Sequence, residues 1–115
     1  MKRLLVLLAL AAVAPVAPAL ANPARPATTI INVSGKEFSF TLSKKSGPVG
    51  TFTFKFKNVG HIAHDFKIAG KKTPLVQQGK SATLTVKIAK AGRYPYLCTV
   101  PGHASAGMKG VFVVR

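Results

Sequence analysis

Cys98, His103 and Met108 stand at five-residue intervals in the segment Cys98-Thr99-Val100-Pro101-Gly102-His103-Ala104-Ser105-Ala106-Gly107-Met108. They use the only cysteine of the chain and its only methionine besides Met1. A thiolate, an imidazole and a thioether gathered into one short loop form a soft donor set that suits copper. Two His and one Cys with a weak axial Met make up the blue-copper electron-transfer arrangement. The second imidazole is available upstream in Asn58-Val59-Gly60-His61-Ile62-Ala63-His64-Asp65-Phe66, which holds two histidines, His61 and His64. Residue chemistry alone leaves the choice between these two open.

A lone cysteine in an exported chain calls for an explanation, because it has no internal disulfide partner in a compartment that favours disulfides. The bland explanation is a buried cysteine acting as a small hydrophobe. With His103 and Met108 behind it and further histidines ahead, Cys98 reads instead as a metal ligand, and coordination also protects the thiol from oxidation.

The elements that must position these residues are strands. Phe38, Phe40 and Leu42 alternate with polar residues, as do Phe52, Phe54 and Phe56, while Leu84, Val86 and Ile88 repeat the pattern between Thr and Lys. Period-two alternation of this kind marks a strand with one dry face. Thr29 to Val33, His64 to Ile68, Gly92 to Cys98 and Val111 to Val114 complete the set. Turn residues such as Ser46-Gly47-Pro48, Gly70-Lys71-Lys72 and Gly79-Lys80 separate the strands. The spacing predicts an all-β fold, an antiparallel β-sandwich of about seven strands, with no convincing helix. The 115 residues suffice for one such domain.

The chain opens with Lys2 and Arg3, runs uncharged from Leu4 to Ala21, and reaches the small-residue site Ala19-Leu20-Ala21. That order predicts a signal peptide over residues 1–21, cut after Ala21, and an exported or periplasmic protein that acquires its metal outside the cytoplasm. A retained anchor fits less well, since Pro15 and Pro18 interrupt the run and its strongly apolar part, Leu4 to Val13, is too short for a bilayer of ~30 Å. Asn22 to Thr28 reads as a flexible N-terminal arm and 29–115 as the folded domain.

Loss of Lys2 and Arg3 with the leader leaves 15 Lys and Arg against Glu37 and Asp65, a net charge of +13. Export argues against nucleic acid as the partner, as does the absence of any basic run longer than Lys44-Lys45 or Lys71-Lys72. The lysines stand singly along strands, at Lys55, Lys57, Lys67, Lys80, Lys87 and Lys90. Such spacing serves a solvated sheet face and guards its edges, and it equally suits an acidic partner.

Gly92-Arg93-Tyr94-Pro95-Tyr96-Leu97-Cys98, followed by Pro101-Gly102-His103 and Ala106-Gly107-Met108-Lys109-Gly110, resembles the cupredoxins, the type 1 blue-copper proteins of the plastocyanin and azurin superfamily. The resemblance covers nearly all of the chain beyond the leader and implies an all-β, antiparallel Greek-key β-sandwich of about seven to eight strands. The Cys-to-His and His-to-Met spacings are most similar to those of the rusticyanin and sulfocyanin type. The resemblance implies one copper per chain held by His64, Cys98, His103 and Met108. His64 is preferred to His61 because it directly precedes Asp65, where the family places an Asn or Asp that secures the ligand loops. It further implies that Cys98 is the thiolate of the blue charge-transfer band and Met108 a long axial ligand. The edge of His103 would then emerge through the apolar residues Val100, Pro101, Ala104 and Ala106 toward a redox partner, acidic at its docking face.

The expected function is that of a monomeric one-electron carrier, meeting membranes only through a partner or an uncleaved leader. A periplasmic copper chaperone or storage protein is the alternative, although such proteins usually display several exposed Met or His ligands. A copper enzyme is not expected: three histidines and one cysteine leave too few ligands for a further copper site.

Overall fold

The structure is a computed structural model that describes residues 11–12 and 28–115. The leader read over residues 1–21 lies outside them apart from Ala11 and Ala12, as does all of the expected arm before Thr28. Nine strands follow in chain order: β1 Thr28–Lys36, β2 Ser39–Leu42, β3 Ser46–Gly47, β4 Gly50–Asn58, β5 Lys67–Ile68, β6 Lys71–Lys72, β7 Ser81–Ile88, β8 Gly92–Leu97 and β9 Lys109–Val114. They form two sheets, one ordered β2-β1-β4-β7 and the other β3-β9-β8-β5-β6. The fold is all-β, as the alternation predicts.

Along β4 the alternation is strict. Phe52, Phe54 and Phe56 are fully buried, while Lys55 and Lys57 face solvent. Register carries the pattern across the sheet, setting Phe54 beside Ile31 of β1 and Leu84 of β7, and Phe52 beside Val86. The facing sheet contributes Phe112 and Val114 from β9 and Tyr96 from β8. Phe112 meets Phe52 and Phe54 edge-on at centroid distances of 5.2 and 5.6 Å, the geometry that the ring quadrupole favours. Phe66 lies at the centre of a second aromatic group, 5.2 Å from Phe54, 5.3 Å from Phe40 and 5.6 Å from Tyr96. Burying each such ring stabilises the fold by about 1.5–3 kcal/mol, and Phe66 thereby anchors the chain two residues after His64.

Three features differ from the sequence expectation. The strand count among the described residues is nine because Ser46–Gly47, Lys67–Ile68 and Lys71–Lys72 are two-residue strands, too short to show a period. Two pairings are parallel, β1 with β4 and β3 with β9. Between β1 and β4 the chain leaves for the other sheet at β3, so it returns beside β1 in the same direction, and alternation marks faces rather than partner direction. The strand expected over His64 to Ile68 pairs only at Lys67 and Ile68, with His64 joined to Val76 by an isolated bridge. The β5–β6 hairpin turns through Ala69 and Gly70, both at positive φ, 50° and 75°, which matches the right-handed twist of its strands.

Candidate metal centre

Cys98 directly follows β8, and its side chain continues the inward face of Tyr94 and Tyr96. The loop after it is wound by its own backbone. His103 N–H donates to Val100 O, Ala106 N–H to Gly102 O, Gly107 N–H to Ala104 O, and Met108 N–H to His103 O, at 3.0–3.1 Å. Cys98 N–H then donates to Met108 O at 3.1 Å, closing the segment into a ring. This winding explains the five-residue spacing, because it returns the chain to Cys98 at Met108 with His103 between them. Gly107, at φ 118°, is required both by its backbone and by Phe38 O, which would lie 3.2 Å from a Cβ there.

His64 arrives from the opposite side, on the bridge with Val76: His64 N–H donates to Val76 O at 3.1 Å and Val76 N–H to His64 O at 2.7 Å. His64 Nδ1 lies 3.0 Å from His103 Nδ1 and 3.9 Å from Cys98 Sγ, and His103 Nδ1 lies 3.6 Å from the same sulfur. Among the described residues these three form a group of potential metal ligands, all buried. Met108 is fully buried at the end of the same ring. His61, by contrast, is exposed and outside the group.

The donor set fits a soft cation by geometry as well as chemistry. A triangle of these three sides has its centre about 2.1 Å from every corner, within the usual metal–nitrogen and metal–sulfur reach of about 2.0–2.3 Å. Burial pushes the Cys98 thiol above its ordinary range, and a bound cation would offset that cost by stabilising the thiolate.

Asp65, almost fully buried, ties the two ligand segments together. Its Oδ1 accepts the Thr99 amide at 2.6 Å, and its Oδ2 accepts the Thr99 hydroxyl. The residue after His64 is thus fastened to the residue after Cys98. Asn58 performs a similar service for the loop ahead of His64, donating through Nδ2 to Ile62 O and Val76 O, both at 2.8 Å, while its Oδ1 accepts Gly60 N–H at 2.9 Å.

Sequence reasoning missed Glu37 and Phe38. Glu37 Oε1 accepts from the His61 amide at 2.8 Å, the Ile62 amide at 3.0 Å and His64 Nε2 at 2.9 Å. The Ile62 amide, foremost among these donors, holds the carboxyl down to about 2. Phe38, which the alternation puts on the dry face of a strand, lies instead in the β1–β2 turn, 40% exposed, its ring 5.0 Å from that of His103 and inclined at 65°. The one signal for Glu37 in the sequence is scarcity, as one of two acidic residues in a basic chain.

Residues 54–115 match the family described as copper binding proteins, plastocyanin/azurin family. The chain is 35% identical over 74 residues to the copper-resistant cuproprotein CopI of Pseudomonas aeruginosa, an alignment that covers 59% of this chain and 41% of that one. It spans less than half the length of the curated relatives it matches. Among solved structures, dithionite-reduced auracyanin from the photosynthetic bacterium Roseiflexus castenholzii superposes with a TM-score of 0.64 at 27% identity, over 78% of this chain and 98% of that one. Rusticyanin from Thiobacillus ferrooxidans superposes at 0.65 and 24% identity, over 76% of this chain and 77% of that one, a likeness of fold.

Proposed function

The chain belongs to the plastocyanin/azurin family of copper-binding proteins, and from that premise we propose that it is an exported one-electron carrier with a single type 1 copper site. The observation that carries the reading is the convergence of His64 Nδ1, His103 Nδ1 and Cys98 Sγ in a buried group, with the buried Met108 closing the backbone ring that starts at Cys98. His64, His103 and Cys98 would hold the metal, with Met108 as a weaker fourth donor. Copper bound there supplies a Cu(II)/Cu(I) couple. The protein's part is to keep the donors still, and every segment that carries one is cross-tied, by Asp65 to Thr99, by Asn58 to Val76, and by Cys98 to Met108. A site held this firmly changes little between two charge states.

Exposed apolar side chains adjoin the same segments: Phe38 against His103, Ile62 in the loop held by Asn58 and Glu37, and Leu75 next to Val76. These support docking of a redox partner at this end. Both acidic side chains beyond the leader are engaged in hydrogen bonds within the site region, so the exposed side-chain charges of the folded domain are cationic and suit an acidic partner. The leader supports export, and no helix among the described residues is long and apolar enough to cross a membrane.

Visible absorption of the copper-loaded protein, followed by redox titration, tests the proposal. An intense blue band that bleaches and returns with a one-electron couple is expected, lost in Cys98→Ser and kept in His61→Ala. A colour that survives Cys98→Ser, or is lost in His61→Ala, overturns the assignment. The similarity to a copper-resistance cuproprotein favours a second reading, in which the chain binds and delivers copper without shuttling electrons. That reading requires copper to pass to an acceptor protein or chelator faster than electrons do, and a couple that is reversible with copper retained decides against it.

A further inference from the structure

The turn between β1 and β2 touches both histidines of the site with consecutive residues. Glu37 Oε1 lies 2.9 Å from His64 Nε2, and the Phe38 ring packs edge-on against His103 at 5.0 Å. The contact with the loop ahead of His64 is close throughout. A Cβ at residue 60 would stand 2.5 Å from Glu37 Oε1, so Gly60 leaves the space that the carboxylate fills. From this geometry we propose that the Glu37–Phe38 turn is a positioning device for both imidazoles, selecting the tautomer of His64 and holding the ring of His103. This inference rests on the copper-site reading.

The argument for His64 is one of donors and acceptors. A carboxylate can only accept, so the ring nitrogen facing it must carry the proton. The neutral His64 ring is therefore the Nε2–H tautomer, and its Nδ1 lone pair faces Cys98 and His103 before any metal arrives. A charged acceptor holds that N–H roughly twice as strongly as a neutral one, and a hydrogen bond to the distal nitrogen raises the basicity of the ligating one. The negative charge also favours the more highly charged state of a cation bound beyond the ring. Phe38 acts through shape: its ring lies beside the His103 ring and restricts rotation, while its own backbone carbonyl rests against Gly107.

Glu37→Gln separates charge from geometry, because the amide oxygen can still accept from His64 and from both backbone amides. In the metal-free protein at neutral pH, nitrogen NMR of the imidazoles should show His64 as a single Nε2–H tautomer in the parent and in Glu37→Gln, and as a mixture in Glu37→Ala. In the copper-loaded protein Glu37→Gln should stay blue and its reduction potential should rise, by on the order of tenfold in the Cu(II)/Cu(I) equilibrium, ~59 mV for one electron. Phe38→Ala should leave the His64 signals in place and broaden those of His103. A potential in Glu37→Gln equal to or below that of the parent overturns the role of the charge. A single His64 tautomer retained in a folded Glu37→Ala overturns the role of the turn. If Glu37→Ala does not fold, Glu37→Gln and Phe38→Leu decide the matter. A parent protein without a blue band would refute the copper-site reading instead, and the tautomer measurement in the metal-free protein would still stand as a test of the turn.

Discussion

Asp65→Ala should destabilise the metal-free protein substantially while leaving it folded. The Asp65 carboxylate is 4% exposed and accepts both the amide and the hydroxyl of Thr99. Hydrogen bonds to a charged group contribute about 1.5–3 kcal/mol each, and a buried donor left without a partner costs about 1–3 kcal/mol. Thr99 is only partly buried, so water can replace some of what is lost, and the carboxylate no longer has to be desolvated. These offsets bring the net loss to about 2–4 kcal/mol, against a typical domain stability of about 5–15 kcal/mol. For a domain of this size each kcal/mol shifts the melting temperature by about 4–8 °C, so a fall of roughly 8–32 °C is expected. Asp65→Asn should lose far less, since its carbonyl can accept the Thr99 amide and its NH2 can donate to the hydroxyl oxygen. Thermal melts of the two variants and the parent, made without metal, check the reasoning. Equal melting temperatures for Asp65→Ala and the parent would mean that Thr99 finds other partners. Equal temperatures for Asp65→Asn and Asp65→Ala would mean that the charge rather than the hydrogen-bond pattern matters.

Met108→Gln should keep the copper and lower its reduction potential, because an oxygen donor favours Cu(II) over Cu(I) and the axial ligand is the weak one; redox titration of the variant at an equal or higher potential contradicts this role. Glu37, held down to about 2 from an ordinary 4.5, contributes stability that is present above pH about 4.5 and lost as the pH falls toward about 2. Melts of metal-free parent and Glu37→Gln across that window should converge at the acid end, and parallel curves would show that the carboxylate contributes nothing through its charge. Electron transfer to an acidic redox partner should slow as salt is added, since the Debye length falls from ~10 Å at 0.1 M to ~3 Å at 1 M. Stopped-flow rates that are flat or rising with ionic strength would leave docking to Phe38, Ile62 and Leu75.

What the sequence by itself determined was the kind of chemistry and the two faces of each long strand. Cys98, His103 and Met108 were legible because their ring is local: a wound loop of fixed spacing returns the chain to its start, and spacing survives in one dimension. Phe52, Phe54 and Phe56 were legible because burial on a pleated strand has a period of two. Sequence could not decide between His61 and His64 from their chemistry, since either lies within a short loop of the same segment. In the fold only His64 joins the group, held by its bridge to Val76 and by the contact of Phe66, two residues on, with the core. Glu37 and Phe38 were invisible for a different reason. They lie 27 and 65 residues before the histidines they touch, and such contacts leave no mark on local periodicity. Only the tertiary structure, by laying the β1–β2 turn across both histidine-bearing loops, brought a lone glutamate and a half-exposed phenylalanine against His64 and His103.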